Sequence, residues 1–303
     1  MSIPTQYDTI IIGSGQGGTP LARALALANH KTALIEREHI GGCCVNDGCT
    51  PTKTMIASGR VAYLAKRGGK YGVQMANTSG SIEGDKGNEV VIDIKTIRQR
   101  KRDIVDSGRV PNTERLNAAA AGVKMDKRGY VVTNEFLETS SPSIYAMGDV
   151  KGPPSFTHIS YDDFRVLRPT LLGSTSADER LSIRDRIVPY VAYTDPQFGH
   201  VGLHEHEARE RFPGRKILTA QMPMSYVARA LETDETRGAM KAVVDGETGQ
   251  ILGFTCLGVE GGEIMSIVQT AMMGNLPYQK LQDAVFAHPT FAESLNNLWG
   301  FLK

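Results

Sequence analysis

Thr9-Ile10-Ile11-Ile12-Gly13-Ser14-Gly15-Gln16-Gly17-Gly18, then Leu21 to Ala28, then Thr32-Ala33-Leu34-Ile35, is the stretch that decides the fold. An apolar run, a glycine turn, a helical stretch and a second apolar run read as strand, turn, helix, strand, which is a βαβ unit. Gly13, Gly15 and Gly18 fall on the G-x-G-x-x-G spacing between the strand and the helix. Gly13 permits the tight turn, Gly15 lets the backbone approach a pyrophosphate, and Gly18 allows close helix–strand packing. The helix start offers N–H groups and the positive end of its dipole. Glu36 ends the second strand, where a carboxylate can accept hydrogen bonds from an adenosine ribose. The motif alone does not separate FAD from NAD.

Immediately downstream, Gly41-Gly42-Cys43-Cys44-Val45-Asn46-Asp47-Gly48-Cys49-Thr50-Pro51-Thr52-Lys53 holds three of the four cysteines in the 303 residues. That is too few for a disulfide scaffold, and such clustering suggests chemistry rather than stapling. C-x4-C between Gly-Gly and Pro-x-Lys resembles the redox-active segment of the pyridine nucleotide-disulfide oxidoreductase family, which contains dihydrolipoamide dehydrogenase, glutathione reductase and mercuric reductase. Two thiols so spaced at a helix start can close a small disulfide, and the helix dipole favours the thiolate formed on reduction. Two reduced core cysteines are the plainer alternative. The resemblance implies that Cys44 is the interchange thiol, that Cys49 lies against a flavin as the charge-transfer thiolate, and that Lys53 sits near the reactive edge of the flavin ring. The carboxylate partner of that lysine comes from a domain missing here, so a surface lysine is the competing reading. Cys43 is either an inert neighbour or a competing thiol that reshuffles the disulfide or binds a soft metal. Cys256 reads as an ordinary buried cysteine.

Gly108-Arg109-Val110-Pro111-Asn112-Thr113 and Ser143-Ile144-Tyr145-Ala146-Met147-Gly148-Asp149-Val150 resemble two further family signatures. In relatives the aspartate of the second binds the flavin ribityl chain, which makes Gly148 and Asp149 candidates at the end of a short predicted strand; a turn aspartate is the alternative. Phe156 to Asp163 opens a predicted helix whose N-terminus is expected to face the pyrimidine end of the flavin. His158 there reads as a packing or capping residue.

Toward the C-terminus, Ala287-His288-Pro289-Thr290-Phe291-Ala292-Glu293 matches the family's His-x4-Glu. The resemblance makes His288 the acid/base for the interchange thiol and Glu293 its orienting partner, reaching the disulfide of another subunit, so that function requires a homodimer. Thr290-x-x-Glu293 is equally a capping box for the last helix, and His288–Pro289 is a candidate cis bond. The segment from Thr194 to Asn297 resembles the dimerisation domain of mercuric-reductase-like members. Their extra C-terminal cysteine pair is missing, which makes mercuric ion a doubtful substrate.

Periodicity adds a helix over Pro51 to Lys66, an exposed loop from Asn77 to Asn88, a basic helix from Ile94 to Val105 and short strands at 130–133 and 143–147. It also gives a hairpin of Ala239 to Val244 with Ile251 to Cys256, and a helix from Glu263 to Met273 with Ile264, Ile267, Val268, Ala271 and Met272 on one face. No second G-x-G-x-x-G is present, and Asp106-Ser107 runs directly into Gly108-Arg109, where relatives insert a closing strand and a nicotinamide domain. Deletion of the strand predicts a gap beside the first strand that Ile104 to Val110 is able to fill.

With 34 Lys and Arg against 33 Asp and Glu, no global field draws the protein to nucleic acid or an anionic membrane. No leader-like or membrane-spanning apolar stretch is present, which reads as soluble and cytoplasmic. The expected class is α/β: a shortened Rossmann-like FAD-binding domain over 1–180 carrying the redox disulfide, with the NAD(P) domain deleted near 106–108, and then an α+β dimerisation domain over 181–303. The expected function is an FAD-dependent disulfide oxidoreductase that passes electrons between flavin and Cys44/Cys49 and on to a small thiol, disulfide or other acceptor. A separate NAD(P)H-supplying chain is a possible partner, and no resident metal is expected. The alternative is a non-enzymatic truncated remnant that retains nucleotide binding and dimerisation.

Overall fold

A computed structural model describes residues 6–46, 48–73, 113, 116–173 and 180–303, which form two compact units, Met1–Asp185 and Arg186–Lys303. The predicted loop 77–88, the basic helix 94–105, the gap-filling segment 104–110 and Gly108 to Asn112 lie outside the described residues.

The first unit is built on β1 (Thr9–Ile12), α1 (Gly18–Leu27) and β2 (Thr32–Ile35), with β1 and β2 parallel in the register Thr9↔Thr32 to Ile12↔Ile35. Because strand side chains alternate, Ile11 turns inward against Leu21, Leu25 and Phe164, while Ile10 and Ile12 are 58% and 63% exposed on the other face. The cysteine segment follows as a single helical turn, α2 (Gly42–Asn46), then α3 (Cys49–Arg67), which brackets the expected helix. The next described helix of this unit, α4 (Thr157–Leu171), buries Ile159, Phe164, Val166 and Leu167 on one stripe.

The two short strands expected at 130–133 and 143–147 are instead isolated bridges, Met125↔Val131 and Glu138↔Tyr145. Side chains compete there for the backbone: the Asp126 carboxylate accepts the N–H groups of Arg128 and Tyr130, and Asn134 Oδ1 accepts those of Phe136 and Glu138. Such local capture favours turns over a ladder. Asp149 sits in a 3-10 turn, Gly148–Lys151, and not at a strand end.

The second unit is a five-stranded antiparallel sheet in the order β3 (Tyr190–Ala192), β4 (Gln197–Gly202), β7 (Ile251–Gly258), β6 (Ala239–Asp245), β5 (Ile217–Pro223). The expected hairpin is β6–β7, and its turn is held by the Asp245 carboxylate, which accepts the N–H groups of Glu247 and Thr248. Helices α5 (Glu205–Arg211), α6 (Ala228–Glu232), α7 (Gly261–Met273), α8 (Tyr278–Gln282) and α9 (Ser294–Leu298) complete it. α7 buries Ile264, Met265, Val268 and Ala271 against Val201, Met240, Phe254 and Cys256, with Ile267 and Met272 only partly covered. At about 1.5–3 kcal/mol per large apolar side chain removed from water, this cluster is the main stabilising feature of the unit.

Candidate functional site

The phosphate turn has the backbone its glycines predict. Gly13 holds φ +97°, and a Cβ on Gly18 would lie 2.0 Å from the Gly13 carbonyl oxygen, so any larger residue there would break the turn. A Cβ on Gly15 would meet nothing within 4 Å, and no side chain caps the start of α1. In the first turn of α1 the Thr19 N–H donates to Gly15 O at 3.1 Å and Pro20 has no N–H, so it is the open space at Gly15 beside the helix start that fits a dinucleotide pyrophosphate.

Ser14, a spacer position in the motif, turns out to be a junction. It is fully buried, its hydroxyl donates to Glu36 Oε2 at 2.6 Å, and Ser14 Oγ in turn accepts the Gly41 N–H at 3.0 Å. Glu36 also accepts the N–H groups of Ser14, Arg37 and Glu38, which fills the acceptor capacity of the carboxylate. Burial pushes the Glu36 pKa up, but the Ser14 hydroxyl and these N–H groups outweigh it and bring it down to about 2. Glu36 thus fastens the turn to β2, and a ribose hydroxyl would have to displace one of these donors to bind it.

The cysteine segment is pressed directly onto this turn: Gly42 has φ +65°, and a Cβ on it would come within 2.6 Å of Gly15 Cα. Cys44 and Cys49 are half-buried. Cys49 is the first residue of α3, and its Sγ lies 3.1 Å from the hydroxyl of Thr157, the first residue of the fifteen-residue α4. Burial holds the Cys44 thiol above its ordinary pKa; the Thr157 hydroxyl acts against that, and the neighbouring Cys49 adds to it. The two sulfurs and the threonine hydroxyl form one cluster at the positive end of a helix. Thr157 had no role in the sequence reading, because it lies 108 positions from Cys49; a hydroxyl residue at a predicted helix start was the available signal.

Cys43 borders the same segment, and its carbonyl accepts the Gly48 N–H at 2.6 Å. Among the described residues no group of three or more His, Cys, Asp or Glu is placed to hold a metal ion. Cys256 is buried in the second unit, which pushes its thiol up to about 12 and leaves it unreactive. Lys53 is exposed on α3, and its Nζ donates to Thr52 Oγ1 at 3.4 Å.

The Gly148–Lys151 turn exposes Asp149 and is backed by α4. Gly148, at φ +71°, donates its N–H to the buried Asp163 carboxylate at 2.7 Å, and Lys151 Nζ lies 3.4 Å from the same oxygen. Ser160 of α4 touches both turns: Cβ atoms on Gly148 and Gly17 would fall 2.7 and 2.9 Å from its Oγ and carbonyl oxygen.

In the second unit, His288 Nδ1 lies 2.8 and 3.1 Å from the two Glu293 carboxylate oxygens, with the imidazole largely exposed. The His288–Pro289 bond is cis. Half of the expected capping box also forms, since the Glu293 N–H donates to Thr290 Oγ1 at 3.2 Å. The carboxylate is engaged by the histidine, so the two readings of Glu293 coexist. A separate cavity of about 460 Å³ is lined by His204, His206, Arg209 and Lys241, but the two cations there are both bonded to Glu205.

Among the described residues no helix is long and apolar enough to cross a membrane. The chain matches the family model described as pyridine nucleotide-disulphide oxidoreductase over residues 7–106 and 101–163, and that family's dimerisation domain over 188–298. It is 39% identical over 202 residues to the probable pyridine nucleotide-disulfide oxidoreductase RclA of Escherichia coli strain K12, covering 66% of this chain and 44% of that protein. It is 36% identical over 192 residues to a mercuric reductase of Staphylococcus aureus, covering 63% and 34%. The chain spans less than half the length of either relative. A solved structure of the Cu(II) complex of HOCl-induced flavoprotein disulfide reductase RclA from Escherichia coli superposes with a TM-score of 0.78 at 26% identity, covering 99% of this chain and 100% of that one. The glycine turn, the paired thiols packed on it and both matched domains make this chain a member of the pyridine nucleotide-disulfide oxidoreductase family.

Proposed function

We propose that the protein is an FAD-dependent disulfide oxidoreductase that passes electrons between a bound flavin and the Cys44/Cys49 dithiol and on to an external disulfide or other acceptor, without a nicotinamide-docking domain of its own. The observation that carries this reading is the packing of the thiol segment onto the phosphate turn, Gly42 against Gly15, with Thr157 on Cys49. Gly13, Gly15 and Gly18 with the α1 start would hold the pyrophosphate, Glu36 the ribose side, Gly148 and Asp149 the ribityl chain, and Lys53 the ring edge. When bound, the flavin supplies a two-electron store beside the dithiol.

The remaining chemistry belongs to the chain. Burial keeps Cys44 protonated, so its attack needs a base. In a homodimer, Nε2 of His288 from a second copy takes that proton, while Glu293 on Nδ1 fixes the tautomer. The Cys44 thiolate attacks one sulfur of the acceptor disulfide, whose S–S bond breaks, and the leaving thiolate takes the proton from His288. Cys49, whose Sγ lies 3.1 Å from the Thr157 hydroxyl, then attacks Cys44 Sγ as its thiolate. This expels the second acceptor thiolate and closes the Cys44–Cys49 disulfide, and two electrons have passed to the acceptor.

The flavin-binding domain would end near residue 180, with the nicotinamide domain omitted near 106–108. The family model matches this chain in two pieces, 7–106 and 101–163, and the break between them falls where the omission is proposed. A second chain that supplies the nicotinamide domain would then be a partner. The remnant reading draws its support from the exposure of Ile10 and Ile12 on a sheet whose described strands are only β1 and β2.

Anaerobic titration of the purified protein separates these. The expected result is a yellow dimer, reduced by dithiothreitol but not by NADPH until a nicotinamide-binding partner is added. Protein that stays colourless and takes up no added FAD would contradict the proposal in favour of the remnant, and bleaching by NADPH alone would contradict the missing domain.

A further inference from the structure

Asp163 and Lys151 form a buried ion pair with no place in the thiol chemistry. The Asp163 side chain is fully buried, the Lys151 side chain is 6% exposed, and the two meet at 3.4 Å. A buried pair of this kind recovers its desolvation cost only when further hydrogen bonds complete it, and replacement by apolar residues is often neutral or stabilising. Its presence is therefore weak evidence for stability and better evidence for placement. What it places is definite. Asp163 Oδ2 accepts the N–H of Gly148 at 2.7 Å and faces Lys151 Nζ, so one carboxylate on α4 grips both the first and the last residue of the turn Gly148–Lys151. Between those ends lies Asp149, exposed. Three positions earlier on the same helix, Ser160 abuts Gly148 and Gly17, so one turn of α4 carries both the Asp149 turn and the phosphate turn.

We propose that Asp163, with Lys151, is a positioning pair that fixes the Gly148–Lys151 turn so that the Asp149 carboxylate meets the ribityl chain of FAD. This rests on the reading of the site as an FAD site. Asp163 touches no part of the ligand; it acts through the Gly148 amide and the Lys151 ammonium. The pyrophosphate end is held by the glycine turn and does not depend on the pair. The pair therefore favours FAD over the ADP fragment that lacks the ribityl chain and ring.

The test uses the full-length protein and the variant Asp163→Leu/Lys151→Met, which removes both charges together and leaves the Gly148 N–H without its acceptor. Exchange of the Gly148 amide hydrogen, read in the ligand-free protein, is expected to speed up about tenfold or more. The dissociation constant of FAD should rise about tenfold, the size of one lost hydrogen bond, while that of ADP stays within about twofold. Asp163→Asn/Lys151→Met keeps an acceptor for Gly148 without a buried charge and is expected to recover both the exchange protection and most of the FAD affinity. This variant also covers the case in which the leucine variant fails to fold. Equal losses for FAD and ADP, or no loss for FAD, would overturn the positioning role. Unchanged exchange at Gly148 would overturn the clamp itself, whatever the flavin does. A wild-type protein that binds ADP and not FAD would instead sink the underlying reading of the site, and the Gly148 exchange result would still stand.

Discussion

Val201, Met222, Met240, Phe254 and Ile264 of the second unit are at most 1% exposed, whereas in the first unit Ile10, Ile12 and Ile35 are 50% exposed or more. One unit closes a core from its own five strands and α7. The other presents a two-stranded described sheet whose inward residue, Ile11, packs on α1 while its neighbours on β1 face outward. The lesson is a division of labour. The second unit buries a core of its own, and the first relies more on hydrogen-bonded junctions such as Ser14–Glu36 and Gly148–Asp163.

That contrast is open to attack at several points. The largest expected effect is in the second unit, where Phe254→Ala should cost about 3–5 kcal/mol through loss of burial and the cavity left behind, read as a lower urea midpoint of that unit. Saturation with FAD should act on the other unit. At a free concentration a hundredfold above Kd it should add about 2.7 kcal/mol to the stability of the first unit and nothing to the second, visible in calorimetry as one transition that moves. If both transitions move together, FAD does not act on the first unit alone.

Thr157→Val removes the hydroxyl from the thiol pair. Loss of a hydrogen bond to a charged sulfur, about 1.5–3 kcal/mol, should raise the pKa of the first thiol to ionise and slow alkylation by iodoacetamide at neutral pH about tenfold, with Thr157→Ser close to wild type. An unchanged pH profile for the valine variant would remove Thr157 from the account. The smallest effect is acid sensitivity of the first unit. Glu36 is held at about 2 against an ordinary 4.5, so its contribution is present above about pH 4.5 and is lost as the pH falls toward 2. Solvent screening reduces it to on the order of 1 kcal/mol. Glu36→Gln should flatten the urea midpoint of the first unit between pH 5 and pH 3, and a slope that persists would place the acid sensitivity elsewhere.

Where the signal is local, the sequence was readable. Gly13, Gly15 and Gly18 announce a turn because each has a backbone reason to be glycine. The β6–β7 hairpin and the buried stripe of α7 follow from period and turn residues alone. The stretches at 130–133 and 143–147 form single bridges because their N–H groups go to scattered acceptors, Tyr130 to the Asp126 carboxylate, Val131 to Val150, Ile144 to Ser141 and Ala146 to Leu137, a pattern that hydrophobic period does not register. The site shows the same limit. Cys44, Cys49, His288 and Glu293 carry visible spacings, but Thr157 meets Cys49 across 108 positions and Ser14 meets Glu36 across 22. Those contacts depend on tertiary packing, so neither spacing nor composition marks them.

The proposed place of Cys49 beside the flavin has a direct spectral test. An anaerobic dithiothreitol titration of the FAD-loaded protein should produce a long-wavelength thiolate-to-flavin absorption band in the wild type that is kept in Cys44→Ser and lost in Cys49→Ser. Full flavin loading with no such band in the wild type, or a band that survives in Cys49→Ser, would contradict it.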